Sequence, residues 1–209
     1  YIWNDDNSIT ITKFSGTEEH LIIPVEIAGH PVTQIGEGAF KDNLMLRSVE
    51  LPNTVKVIGT EAFAGCTALE EINIPDGVTS IGDGAFYECS SLTNIEIPKG
   101  VTVIEDGLFY GCSSLTSINI PESVTSIGYA AFYGCSSLKS IAIPNSVKTI
   151  EDNTFDCCRS LSSLTISTTV KRIDGCAFCS TSLRSIKVNT HSITEFAESN
   201  LLSLLLDKA

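Results

Sequence analysis

Cysteine is the residue type in this chain with the most chemistry to offer, and its spacing decides which chemistry that is. Five of the eight cysteines, Cys66, Cys89, Cys112, Cys135 and Cys158, recur every 23 residues. If each interval is one structural unit, they form a ladder whose adjacent Cα atoms lie within disulfide range. All rungs would then point the same way into a packed turn, side by side, each thiol donating weakly to a loop carbonyl. The expectation is a structural ladder of buried free thiols, because free Cys is among the most buried residue types. Cys157, Cys176 and Cys179 fall off this beat. Cys176-Ala-Phe-Cys179 has C-x-x-C spacing, and with Cys157 and Cys158 it could offer four sulfurs to zinc. Phe178 must face the core, however, which sends its flanking thiols into different environments. Free thiols are therefore the default and zinc is not expected. A disulfide from Cys179 to Cys157 or Cys158 stays open.

Other reactive groups are sparse. His20, His30 and His191 have no carboxylate or cysteine partner at a useful spacing, so no nucleophile–base–orienter set can be assembled. The glycines follow the 23-residue interval and serve turns rather than phosphates. The expectation is no catalytic, cofactor-binding or metal site, and no enzyme.

The elements that position these residues are repeats. Phenylalanine recurs at Phe40, Phe63, Phe86, Phe109, Phe132, Phe155 and Phe178, leucine from Leu46 to Leu161, and isoleucine from Ile58 to Ile173, all on one interval. A fixed period of this size marks a solenoid, in which each unit buries its apolar face only against its neighbours. Residues 92–114 show the unit. Asn94 to Ile97 alternate polar and apolar, as a strand with one buried face does. Pro98 ends the strand, since it has no N–H to donate. A second short extended piece carries Val101 and Ile104, and Leu108-Phe109 fit a single helical turn with Gly111 at its exit. Six inward residues per coil contribute on the order of 1.5–3 kcal/mol each when buried, much of it offset by chain entropy. One unit would not fold alone; a stack would.

Composition agrees. Apolar residues make up 43% of the 209, yet no apolar run approaches the ~20 residues that span a membrane. The chain opens Tyr-Ile-Trp-Asn-Asp-Asp without a signal peptide, so any signal or anchor is expected outside these 209 residues. The net charge of −12 is uneven: residues 1–106 carry 17 Asp/Glu against 5 Lys/Arg, and residues 107–209 carry 8 against 8. Such acidity repels a phosphate backbone, so nucleic acid is not an expected partner.

The pattern Leu-x-x-Ile-x-Ile-Pro-x-x-Val-x-x-Ile-Gly-x-x-Ala-Phe-x-x-Cys-x-x-Leu, undiluted in residues 69–92 and 115–138, resembles the BspA-like class of leucine-rich repeats. The resemblance covers residues of about 20–188. It implies a leucine-rich-repeat horseshoe with a parallel β-sheet on one face and short strands and helical turns on the other, mostly β and turns with little helix. It also implies an exported bacterial surface protein, secreted or on the cell surface, that adheres to protein partners such as host extracellular matrix (fibronectin, fibrinogen) or to glycans. A structural spacer within a larger surface protein is the alternative. One domain is expected over 1–209, with an N-terminal cap at 1–20, repeats at 21–188 and a helical cap at 189–209 that covers the last sheet edge.

Specificity should lie where repeats differ, on the outward rows. One strand-face row reads Glu50, Asn73, Glu96, Asn119, Ala142, Thr165, Lys187; beside it lie Glu71 and Asn94, and Lys139 starts a later strand. These rows run from acidic to basic and form the first candidate surface. Tyr87, Tyr110 and Tyr133 share one slot on three successive coils and form the alternative, an exposed stripe on the opposite edge.

Overall fold

The computed structural model describes residues 1–167, 169–188 and 195–196. Within them the chain winds as a solenoid of parallel strands, as the 23-residue interval requires. Ile104, Ile127, Ile150 and Ile173 pair in succession, so like residues stack on like. The last coil is one residue short, and Ser163 pairs with Ser185, which absorbs the early leucine at Leu183.

Two strand faces result. The first carries His20–Ile22, Ser48–Glu50 and Glu71–Asn73 as one three-stranded sheet, and Ser140–Ala142, Ser163–Ile166 and Ser185–Val188 as another. Between them only the bridge Glu96↔Asn119 persists. The second face begins with the antiparallel pair Ile2–Trp3 and Ile9–Ile11 and continues through His30–Ile35, Val57–Ile58 and Ser80–Ile81. It then stops and resumes at Val103–Ile104.

The interruption coincides with a change of residue in the turn that follows the second strand. Each coil turns away from its second strand at a slot held by Gly36, Gly59 and Gly82. A Cβ at Gly82 would lie 2.5 Å from the Thr60 nitrogen and 2.9 Å from the Gly59 carbonyl carbon. Glu151 and Asp174 fill this slot in later coils that stay paired; in the coil after Gly82 it holds Glu105, and there the ladder breaks. Burial, followed by the nearby Asp83 and Asp106, raises the pKa of this crowded carboxyl.

The core is a column. Phe40, Phe63, Phe86, Phe109, Phe132 and Phe155 are all buried, with successive ring centroids 4.9–5.8 Å apart.

The expected helical turn around each phenylalanine is corrected. Among the described residues these segments form consecutive turns, with no α-helix. The reason is two left-handed residues, four apart in all but the last coil, such as Gly107 (φ 60°) and Gly111 (φ 69°), which a right-handed helix cannot contain. Phe109 N–H instead donates to the Ala131 carbonyl of the next coil at 2.8 Å, and Phe86 N–H to that of Leu108 at 3.1 Å, forming a third ladder between coils. The terminal helix expected from Thr194 is contradicted at Glu195–Phe196, which form a strand parallel to Arg172–Ile173; the rest of that expectation lies outside the described residues.

Candidate functional site

On the first strand face the inward Ile95 and Ile97 are 2% and 7% exposed, while Asn94 and Glu96 face solvent. Glu50, Glu71, Asn73, Asn119 and Lys139 are exposed as well, and the register sets Lys187 beside Thr165. Not all of these side chains remain available. The Asn73 amide closes on the preceding coil: its Oδ1 accepts from Leu51 N–H at 2.7 Å and its Nδ2 donates to the Leu51 carbonyl at 3.3 Å.

Three adjoining depressions follow the acidic half of this face. One, of about 420 Å³, runs from His20 to Asn73; the next, of about 460 Å³, shares Glu71 and Asn73 with it and reaches Glu96. The third, of about 570 Å³, shares Ile74 and Glu96 and extends to Glu122 and Ser123. Together they make a trough that begins on the paired strands Ser48–Glu50 and Glu71–Asn73 and continues over the coils where strand pairing is interrupted. Its third section brings in Asp76, Lys99 and Glu122, which the reading of the rows missed. Each directly follows a strand-ending proline at the 23-residue interval, and that position was a legible signal. Arg47, by contrast, is held between Glu19 (3.1 Å) and Glu70.

The tyrosines form a stack. Tyr87, Tyr110 and Tyr133 have centroids 4.6 Å apart with ring planes within 10° of parallel. Both faces of the Tyr110 ring and the inner faces of Tyr87 and Tyr133 are covered by stacking, so edges, hydroxyls and the two outer faces are what the stripe offers. Tyr133 titrates high, at about 12, because its hydroxyl hydrogen-bonds the Cys157 thiol.

The five cysteines on the repeat are buried and free. Each Sγ donates to the carbonyl of the phenylalanine 26 residues earlier, from Cys66 to Phe40 through Cys158 to Phe132, at 3.1–3.2 Å. Burial raises the Cys66 thiol to about 12 and pushes Cys89, Cys112 and Cys135 well above their ordinary range. The expectation of free thiols off the ladder, with Cys179 as the one able to pair with Cys157 or Cys158, is corrected: Cys176 and Cys179 are joined to each other. Phe178 does face the core, at 4% exposure, but the turn around it curls back and brings the flanking Cα atoms to 4.8 Å. Cys157 N–H donates to the Cys179 carbonyl at 3.0 Å, while its half-buried thiol turns the other way, to the Tyr133 hydroxyl at 3.6 Å.

His20 Nδ1 contacts Ser48 Oγ and His30 Nδ1 the Asn7 carbonyl, both at 2.8 Å, so the structure keeps them apart; His191 lies outside the described residues. Among the described residues no group of three His, Cys, Asp or Glu side chains is placed to hold a metal ion. No helix there is long and apolar enough to cross a membrane.

A family model described as BspA type leucine rich repeat region matches residues 33–125 and 102–206, in six copies. Among solved structures, the chain is similar to a leucine-rich repeat protein of T. pallidum, with 35% identity, a TM-score of 0.77, and coverage of 83% of this chain and 81% of that one. It is also similar to a leucine-rich cell surface protein of Faecalibacterium prausnitzii, with 29% identity, a TM-score of 0.51, and coverage of 89% and 73%. No curated protein matches.

Proposed function

The chain belongs to the BspA-type leucine-rich repeat family, and from that premise we propose that it is a non-catalytic binding module of an exported bacterial surface protein, presenting its first strand face to protein or glycan partners. The observation that carries this reading is the trough: three adjoining depressions along an invariant buried scaffold, lined by outward side chains that change from coil to coil. In a stack whose inward positions are set by packing, outward rows are where selectivity can reside. The resemblance to a protein described as a leucine-rich cell surface protein supports the location. The strand face is preferred to the tyrosine stripe because most of the stripe's ring faces, which a sugar or cation would use, are covered by neighbouring rings, leaving only the outer faces of Tyr87 and Tyr133 without a stacked tyrosine.

The test is surface binding to immobilised fibronectin and fibrinogen. Glu71→Lys with Glu96→Lys should slow association and weaken its salt dependence, since exposed interface charges act mainly on encounter rate. Tyr87→Ser, Tyr110→Ser and Tyr133→Ser together should leave the salt dependence intact. If the charge reversals leave binding unchanged and the tyrosine variant dissociates faster, the stripe is the face. If neither ligand binds saturably, the adhesive reading is wrong and a spacer is the better description.

A further inference from the structure

We propose that the edge strand His20–Ile22 is the contact surface for a second copy of this chain. The two strands pair antiparallel across a two-fold axis through Leu21, and the first strand face continues from one solenoid into the other.

This edge lacks a neighbour. His20–Ile22 is the outermost strand of its three-stranded sheet. Its Leu21 is only half-buried, whereas Val49 and Ile72, which occupy the same slot in the next two coils, are 3% and 5% exposed. The cap covers other parts of the first coil: Ile9–Ile11 pairs with His30–Ile35, and Phe14 packs on Phe40. Backbone groups are left over as well. The Glu19 carbonyl accepts from Arg47 and Ser48 N–H, and Ile23 N–H donates to the Glu50 carbonyl. Successive residues of a strand turn their N–H and C=O to opposite sides. Glu19, Leu21 and Ile23 therefore serve the next coil, and His20 and Ile22 direct their backbone groups outward. Such a row is a template for another strand, and natural edges are blunted with lysine, proline or a bulge. His20–Ile22 contains none of these. It carries Ile22, 71% exposed, in the row that holds Glu50 and Asn73 in the following coils.

The edge is also complementary to itself. A two-fold axis through Leu21 sets His20 opposite Ile22 of the second copy, where the outward N–H and C=O groups of both residues are exchanged. Leu21 meets its own counterpart and is covered by it. Glu18 and Glu19 fall opposite Pro24 and Ile23, so these acids do not face one another. Val25 falls opposite Thr17, and Leu44 and Met45 stand near that point, just ahead of Arg47, whose N–H reaches the Glu19 carbonyl. Val25, Leu44 and Met45 are all exposed, and the two-fold gathers them at both ends of the joint. Neighbouring registers lose this match. Centring on Ile22 sets Glu18 opposite Glu26, and centring on His20 sets Ile22 opposite Glu18. With the strand backbone, these side chains offer roughly 500 Å² from each copy, about 1,000 Å² in all, the lower limit for a specific interface. The dimer is therefore a weak one.

Sedimentation velocity on the whole chain, from about 5 to 300 μM, covers a dissociation constant on the order of 30 μM. A monomer–dimer equilibrium is expected. It should tighten in about 0.5 M NaCl, since salt screens the repulsion between copies that each carry a net charge of −12. Ile22→Asp should weaken the dimer at least about tenfold, and Ile22→Val should leave it unchanged. Ile22→Pro removes one outward N–H and should weaken it too. Ile22 is exposed, so unchanged melting curves verify the fold of each variant. Amide exchange locates the contact: His20 and Ile22 N–H should gain protection as protein concentration rises. A monomer throughout the range would overturn the proposal. So would a dimer that ignores Ile22→Asp, or one that leaves the His20 and Ile22 amides exchanging as in the monomer. Growth beyond the dimer would mean head-to-tail stacking and overturn the two-fold pairing. A dimer dissolved by salt would be held by charge and overturn the apolar edge. Ligand binding by the trough is tested separately, by the Glu71 and Glu96 variants, and stands or falls without this dimer.

Discussion

Replacing Phe109 by alanine removes the middle of the aromatic column. The side chain is fully buried, its ring between Phe86 at 5.8 Å and Phe132 at 5.3 Å. Deleting a buried phenylalanine costs about 3–5 kcal/mol through lost transfer energy and the cavity left behind. Two stacked partners, each worth about 0.5–1.5 kcal/mol beyond area burial, put this site near the upper end, at about 5 kcal/mol. Phe178 provides the internal comparison. It is slightly exposed and stacks on Phe155 alone among the described residues, at 5.2 Å, so Phe178→Ala should cost about 3 kcal/mol. Against a net stability of about 5–15 kcal/mol, the Phe109 loss is large, and a stack held by nearest-neighbour contacts passes it to the adjacent coils. Urea unfolding reads the total. Amide exchange reads its spread, because the Phe86, Phe109 and Phe132 amides donate to Leu108, Ala131 and Thr154 in successive coils. All three should lose protection together. An unchanged urea midpoint would refute the buried column, and lost protection at Phe109 alone would refute coupling between coils.

Two further outcomes concern the cysteines. In denaturant without reductant six thiols should titrate, and eight after reduction; four or fewer would show cross-linked ladder members, and eight before reduction would remove the Cys176–Cys179 bond. In the native protein half-buried Cys157 should react with iodoacetamide first, and simultaneous labelling of the ladder would contradict its burial. The ladder also sets an alkaline limit. Burial raises the folded pKa of Cys66, Cys89, Cys112 and Cys135 above the ordinary 9.0, so the folded state keeps protons that the unfolded chain releases. Stability should thus be unaffected by these groups below about pH 9 and decline as pH rises through about 9 to 12. Cys89→Ala with Cys112→Ala should flatten that decline in urea midpoints; an equally steep decline would assign it to other groups.

Much of this protein was legible in its sequence because burial here is periodic. A residue recurring every 23 positions occupies the same place in every coil, so Phe109, Ile104 and Leu115 could be assigned inward and Glu96 outward from spacing alone. The alternation of Glu50 and Glu96 with Asn73 and Asn119 was equally visible. Periodicity says which residues share a slot, but not how closely neighbouring coils approach or where a side chain turns. Those depend on contacts across the coil interface. Tertiary structure decided that the ladder stops after Ser80–Ile81 and resumes at Val103–Ile104, and that the Asn73 amide is committed to Leu51. It decided that Tyr87, Tyr110 and Tyr133 cover one another's faces. Left-handed residues at both ends of each phenylalanine segment made turns of what the local pattern suggested as helix, and the curl of the last such turn paired Cys176 with Cys179. Slot membership is a one-dimensional property that a sequence carries in full; backbone handedness and the packing between coils are settled only when the coils meet.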